Sequence, residues 1–443
     1  MPKAVRHTLL SLRDMLVSAG PFVLLSIALL VLAYWWLDPM PPKRVTLATG
    51  PAQSAYAEFG DRYRKALAAN GIDVVLVQSE GSSANLQLLQ QGKVDLGFVQ
   101  GGSRASAEND DQAPISLGNL FLEPVWLFYR ADAAQKAVHA DSLTALPQLA
   151  GLRINVGTAG SGVPTLMNAL FELNKIEPSQ LKLSELDQTA ATVALLGGDL
   201  DALVFASAPE SLMVQMLLQT PGIKLLDFSQ NEAYSRRLPF LTPVSLPRGV
   251  VDLAGDVPPS DVRLVAPTTT LLARPGLHPA IVQLFSQASL VIHGAAGWFS
   301  RSHEFPKAAN AEFALSKDAE RTIRDGVPLM QRYLPFTLAN LLERMWLSLG
   351  IIIALLLPLS RIVPPLYQFR IRSRVFRWYA QLREIESRLD EEPANGAQLV
   401  EELNRLETRV GKVVVPLSHT EELYALRNHI ELVRKRLLDT PAH

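Results

Sequence analysis

Between residues 45 and 100, short apolar runs alternate with small polar turns and stretches of helical spacing: 45–48, then 72–77, then 94–99. That alternation predicts a β-α-β-α-β unit. A second set follows at 153–156, 181–186, 202–205 and 223–228, with helical spacing over 164–174, 188–196 and 209–218. Residues 121–129 read as one long strand. Residues 132–149 read as a polar, alanine-rich connector with a helix ending near Gly151. Residues 264–273 resemble a returning strand and 279–292 a helix of the first lobe, so the chain is expected to cross a hinge more than once. Together these elements predict an α/β fold of two lobes, each with parallel strands and crossover helices, the second lobe spanning about 131–240.

Two longer apolar stretches break this rhythm. Residues 1–14 carry Lys3, Arg6 and Arg13, and the apolar run that follows predicts a span over 15–37, about 23 residues and long enough to cross a bilayer. A cleavable leader has a shorter apolar core ending in small residues. This run ends in Tyr34-Trp35-Trp36, which suits an uncleaved anchor with aromatics at headgroup level. Residues 38–42, with three prolines, read as a stiff spacer before a domain over 43–335. The second stretch, 345–359, reaches Tyr367 if Arg361 snorkels, giving a span over 342–367 with Trp346 at its outer end. A buried core helix is the competing interpretation, since Glu343-Arg344 and Pro358 interrupt the pattern.

Arg361, Arg370, Arg372, Arg374 and Arg377 follow that span, so the positive-inside rule puts both chain ends in the cytoplasm and 43–335 outside. In a Gram-negative cell that means an inner-membrane protein with a periplasmic domain. The cytoplasmic tail, 370–443, shows helical spacing over 376–389, 397–410 and 419–438. Pro393 to Gly396 would break the first two helices apart, and Ser418 to Glu422 would start the third. Leu399, Leu403, Leu406 and Val410 make one apolar stripe, and Leu423, Leu426, Ile430, Val433 and Leu437 another. Flanked by Glu401, Arg405, Glu431 and Arg434, these stripes suit either an internal hairpin or a seam for a homo-oligomer or a cytoplasmic partner.

Composition narrows the function. The 443 residues are 48% apolar, high for a wholly soluble chain, and their net charge of −1 offers no basic field, so no nucleic-acid partner is expected. The absence of cysteine excludes disulfides and thiolate chemistry. No nucleophile elbow, HExxH or phosphate loop occurs, and eight scattered histidines lack ligand spacing, so neither an enzyme, a metal nor a cofactor is expected.

Candidate binding residues cluster where the apolar runs end: Thr49, Gly50, Ser54 and Tyr56; Ser79, Gly81, Ser82, Ser83 and Asn85; and Gln100 with its glycines. Ligands of open α/β sheets bind at that edge. Ser82-Ser83 and Gly160-Ser161-Gly162 are turns before helices, whose N–H groups suit a small carboxylate; the plainer alternative is that the serines only cap those helices. Ser207, after the 202–205 run, is a weaker candidate. Glu123 reads as structural, since a charged acid would repel an anion.

The runs Leu47-Ala48-Thr49-Gly50 with Ser54-Ala55-Tyr56, Gly81-Ser82-Ser83-Ala84-Asn85-Leu86, Asp95-Leu96-Gly97-Phe98-Val99-Gln100, Leu122-Glu123-Pro124 and Val156-Gly157-Thr158-Ala159-Gly160-Ser161-Gly162 resemble the TAXI family. These are solute-binding proteins of TRAP transporters. The resemblance covers about 45–273 and implies a type II periplasmic-binding-protein fold, ligand contacts from these motifs, Thr158 included, and a TRAP-type permease as partner. A tyrosine-proline-glycine motif expected near Pro247-Arg248-Gly249 is absent, and two spans with a cytoplasmic tail are foreign to ordinary members. The expectation is a membrane-anchored protein capturing a small carboxylate or amino-acid-like solute for transport. The alternative is a sensor or scaffold signalling through its tail.

Overall fold

The computed structural model describes residues 3–38, 40–52, 54–103, 113–140, 142–209, 211–309, 312–391, 396–413 and 420–439. An α/β unit spans Met40–Asn340, and helices toward the two ends of the chain form a separate unit.

Within the α/β unit the strands are β1 (Arg44–Ala48), β2 (Asp73–Val77), β3 (Leu96–Gln100), β4 (Ile115–Leu122), β5 (Val125–Arg130), β6 (Arg153–Asn155), β7 (Lys182–Ser184), β8 (Ala202–Ala206), β9 (Ile223–Leu225), β10 (Leu241–Leu246) and β11 (Val262–Ala273). One sheet runs β2-β1-β3-β11, with the second half of β11 also pairing β4 and its first half pairing β10. The other runs β7-β6-β8-β5-β9. Each sheet thus has the order second, first, third, crossing strand, fourth. The parallel pairs β1/β2, β1/β3, β6/β7 and β6/β8 follow the expected crossovers, whereas the crossing strands β5 and β11 enter antiparallel. This α/β arrangement of two lobes is the type II periplasmic-binding-protein fold.

Residues 121–129 do not form one strand. The chain breaks at Glu123-Pro124, where proline removes a ladder donor and biases the preceding residue. β4 ends in the first lobe and β5 starts in the second. The return crossing lies inside β11: Leu264 and Val265 sit in the second lobe's core with Trp126, Phe128 and Phe205, while Leu271 and Ala273 sit in the first lobe's core with Tyr63, Phe98 and Phe285. The two crossings touch, for Glu123 N–H donates to the Pro267 carbonyl at 2.9 Å. The second lobe therefore draws on Val125 to Val265 rather than 131–240. Of the connector over 132–149, Ala131–Val138 is helical and Leu146–Leu149 a 3-10 turn.

In the second unit, helix Lys3–Leu37 contains an apolar segment, Ala19–Leu37, and helix Phe336–Ser360 is the other apolar segment; both are long and apolar enough to cross a membrane. Val23, Leu24, Ile27, Val31 and Leu32 on the first, and Leu347, Ile351, Ile353, Leu355 and Leu357 on the second, are exposed. Such continuous apolar surface suits lipid rather than a buried core helix. The second helix ends at Ser360, and a new one, Val363–Glu391, starts with Pro364 and Pro365 in its first turn, where proline is tolerated. It runs without interruption into what was expected as tail.

That helix bears on the expectation for the tail stripes. Leu399, Leu403, Leu406 and Val410 on Gly396–Gly411, and Leu426, Ile430 and Val433 on Thr420–Asp439, are buried against Val375, Leu382 and Ile385 of Val363–Glu391. A three-helix bundle buries these residues of both stripes, as in the internal-hairpin alternative. Arg434 pairs with Glu407 and Glu431, and Arg405 with Glu401, within the same chain. Pro39 of the spacer, the Pro393–Asn395 break, Ser418-His419 of the expected helix start and the Leu437 side chain lie outside the described residues.

Candidate ligand site between the lobes

A cavity of about 70 Å³ lies between the lobes. Its first-lobe wall is Pro51, Ser54, Ala55 and Tyr56 after β1, Glu80 and Gly81 after β2, and Glu123 at the crossing. Its second-lobe wall includes Gly157, Thr158, Ser161 and Val163 after β6, Asp187 and Gln188 after β7, and Val204 to Ser207 at the end of β8. These are the carboxyl ends of parallel strands, the expected edge. The space exceeds what one water needs and suits a small solute.

Of the expected site residues, Ser54, Tyr56, Thr158, Ser161 and Ser207 reach the wall. Several of their polar atoms are engaged within the protein. Ser54 Oγ accepts from Ala57 N–H at 3.2 Å as a helix cap. Ser161 Oγ donates to the Thr158 carbonyl at 2.6 Å and accepts from Val163 N–H at 3.3 Å. The Ser207 carbonyl accepts from the buried indole of Trp126 at 2.8 Å.

Thr49, Ser82, Ser83, Asn85, Gln100 and Gly162 lie outside the wall, and the structure gives several of them a different task. Asn85 Nδ2 donates to the carbonyls of Thr49 at 2.7 Å and Phe98 at 2.8 Å, and its Oδ1 accepts from Ser79 at 2.6 Å. It ties the ends of β1 and β3 together instead of orienting a ligand. Ser82 Oγ accepts from Gln100 N–H at 2.7 Å. Among the described residues Gln100 Nε2 is buried with no partner, and Thr269, its direct neighbour across β3 and β11, bonds the side chains of Tyr56 and Glu123. Buried donors left unmade are expensive and mark a place for a ligand or water.

Glu123, expected to be structural, also forms part of the cavity wall. It is 3% exposed, and Tyr56 donates its hydroxyl to Glu123 Oε2 at 3.0 Å. Burial pushes its carboxyl up to about 8, with hydrogen bonding opposing the rise, so it is protonated at neutral pH. The repulsion anticipated from a charged acid is absent. Burial of the Tyr56 phenol likewise holds it well above its usual range.

The lobes meet closely beside the cavity. Gly81, at φ 137°, leaves room where a Cβ would lie 2.9 Å from Ser161 Cα, and Gly162, at φ 91°, leaves room where a Cβ would lie 3.1 Å from that of Ser82. Only glycine accepts both the conformation and the approach. Glu80 Oε2 of the first lobe accepts the Gly160 N–H of the second at 3.0 Å. The helix start proposed for a ligand carboxylate thus already holds one from the protein.

The NMT1-like family matches residues 47–284, more than half of the chain. The chain belongs to the NMT1-like family. This NMT1-like protein is similar to a protein from Bordetella bronchiseptica (16% identity, TM-score 0.41, covering 68% of this chain and 89% of that one). It is similar to the periplasmic aliphatic sulphonate binding protein SsuA from Escherichia coli (14% identity, TM-score 0.36, 72% and 83%). A further likeness is to the GluR0 ligand-binding core from Nostoc punctiforme in complex with L-glutamate (14% identity, TM-score 0.34, 56% and 92%). The family match covers both walls of the cavity.

Proposed function

We propose that this protein is a membrane-anchored solute-binding protein whose lobes close on a small polar solute, of carboxylate or amino-acid type, in the periplasm. The observation that carries this reading is the interlobe cavity at the carboxyl ends of both sheets, beside two adjacent chain crossings that can act as one hinge. Tyr56, Ser161, Thr158 and Ser207 contact the solute, and Gln100 supplies an unpartnered amide. Capture for a TRAP-type permease follows from the TAXI-like motifs. Both chain ends are cytoplasmic, given the basic residues flanking the two apolar helices.

Calorimetry on the full-length protein in detergent, against amino acids and mono- and dicarboxylates, tests the site. Tyr56→Phe combined with Ser161→Ala is expected to weaken the bound solute roughly tenfold, the loss of two modest hydrogen bonds. Unchanged affinity puts the site elsewhere. Reporter fusions at Gly255 and His443 test the topology, and a cytoplasmic signal at Gly255 sinks it.

A sensor is the second reading. It is favoured by helix Val363–Glu391, which leads from just beyond the second apolar helix into the buried core of the three-helix bundle. A continuous helix transmits a displacement that a flexible linker would absorb.

A further inference from the structure

Building on the cleft reading above, we infer that the solute carries a protonated amine and that Glu123 is its counter-ion. Charge is the first ground. Among the described residues, the ionisable side chains lining the cavity are the acids Glu80, Glu123 and Asp187 and the Tyr56 phenol, with no lysine, arginine or histidine. A small anion held without a cation needs several free donors in compensation.

The donor inventory is the second ground. Gly160 N–H is taken by Glu80, the Ser161 hydroxyl by the Thr158 carbonyl, the Tyr56 hydroxyl by Glu123, and the Asn85 amide by two backbone carbonyls. Among the described residues, Gln100 Nε2 is a buried amide with no partner, which suits one acceptor on the solute rather than a dianion. Glu80, Glu123 and Asp187 place three acids in the wall as acceptors, as an ammonium group with its N–H donors requires. Tyr56 and Phe205 also line the cavity, and aromatic residues attract cations.

Glu123 is the acid that can respond. It is buried and bonded by the Tyr56 phenol of helix Ala55–Ala68 and by Thr269 of β11, and the other acids of the same cavity are Glu80, ahead of helix Ser82–Gln90, and Asp187, at the start of helix Gln188–Gly197. The imidazole of His293, at the end of helix Pro279–Ile292, stacks on Phe121 of the adjoining strand and is neutral, because burial holds its pKa near 3. Arrival of the ammonium favours the carboxylate, so the Glu123 carboxyl releases its proton to solvent while the amine keeps all of its own. One proton leaves per solute bound, and Tyr56 continues to donate to Oε2.

Calorimetry on full-length protein in two buffers of unlike ionisation enthalpy tests this, with methylamine, ethanolamine, glycine, L-alanine, acetate and succinate as probes. Amine-bearing probes are expected to bind at pH 7 with release of about one proton, and their affinity to rise roughly tenfold per pH unit up to about 8. Glu123→Gln keeps the shape and an acceptor for Tyr56, and is expected to weaken amine binding roughly tenfold or more and to abolish proton release. If that variant does not fold, proton release by the wild type remains the deciding measurement. Amine binding without proton release, or with unchanged affinity in a folded Glu123→Gln variant, overturns the inference. Binding of acetate or succinate alone overturns it and leaves the cleft reading intact, whereas binding of none of the probes overturns both.

Discussion

Where the first lobe meets the cleft it presents Tyr56 and Glu123, with Gln100 and Thr269 behind the wall, all nearly inaccessible to solvent, whereas the second presents Thr158, Ser161, Val204, Phe205 and Ser207, a mixture of backbone, hydroxyls and apolar wall. Both surfaces arise at equivalent places of sheets with equivalent strand order. Topology therefore fixes where the cleft lies, and side chains fix what each wall can do. The first lobe holds ionisable and unpartnered groups in a dry setting, where small changes of partner have large electrostatic consequences. The second supplies shape and closes over them.

The sharpest way to break this contrast is Asn85→Ala. It leaves the carbonyls of Thr49 and Phe98 without their amide donor and removes the Ser79 partner, so a loss of about 2–4 kcal/mol is expected. Ser161→Ala, its counterpart in the second lobe, should lose less than about 1 kcal/mol, being only half-buried and bonded within its own turn. Thermal unfolding of the two variants side by side checks the difference; equal losses would remove the asymmetry.

The pH dependence of stability is the next largest effect. Glu123 has its pKa raised from 4.5 to about 8 on folding, so between those values the folded state holds a proton that the unfolded state lacks, and stability falls as pH rises. His293 is lowered from 6.5 to about 3, so between those values the unfolded state holds the extra proton, and stability falls as pH drops. The slopes oppose each other from 4.5 to 6.5, which leaves a plateau. From 6.5 to 8 Glu123 acts alone and about 2 kcal/mol should be lost, at roughly 1.4 kcal/mol per pH unit. Glu123→Gln should flatten the profile from 6.5 to 8 and replace the plateau from 4.5 to 6.5 with the unopposed His293 slope, stability falling as pH drops. A flat wild-type profile over that window would mean that the carboxyl is not held neutral by the first lobe.

The smallest effect concerns the contact between the lobes. Glu80→Gln weakens the charge-assisted bond to Gly160 N–H, in an exposed setting where such terms reach a few tenths to about 1 kcal/mol. Because the chain has no cysteine, Lys93→Cys and Gln219→Cys place one spin label on each lobe without background. Pulsed electron resonance should show the interlobe distance distribution shifting outward in the Glu80→Gln variant. No shift would mean that the glycine contacts at Gly81 and Gly162 alone hold the lobes together.

Much of the fold was legible locally. The runs at 45–48, 72–77 and 202–205 became β1, β2 and β8 within a residue or so, and 279–292 became a helix with those bounds, because strand and helix periodicities are properties of neighbouring residues. β4 and β10 were not anticipated. Ile115–Leu122 holds an internal glycine and asparagine, and Leu241–Leu246 carries a proline, which dilute the strand pattern. Of the candidate site, the turns after the strands were legible and so was their grouping. Which side chains face the cavity was not, since Asn85 and Ser82 differ from Ser54 and Ser161 only in what lies across from them.

What the sequence by itself determined is therefore the alternation of elements, the two apolar helices and the edge at which polar residues gather, all set by local spacing and composition. Only the tertiary structure decided that Glu123-Pro124 divides a strand between two lobes, that Val375, Leu382 and Ile385 cover the tail stripes, and that Glu123 lies in the cavity wall as a neutral acid. Burial, pairing and protonation depend on residues far away along the chain: Glu123 meets Tyr56 across 67 positions, and no local pattern encodes the loss of water that holds its proton in place.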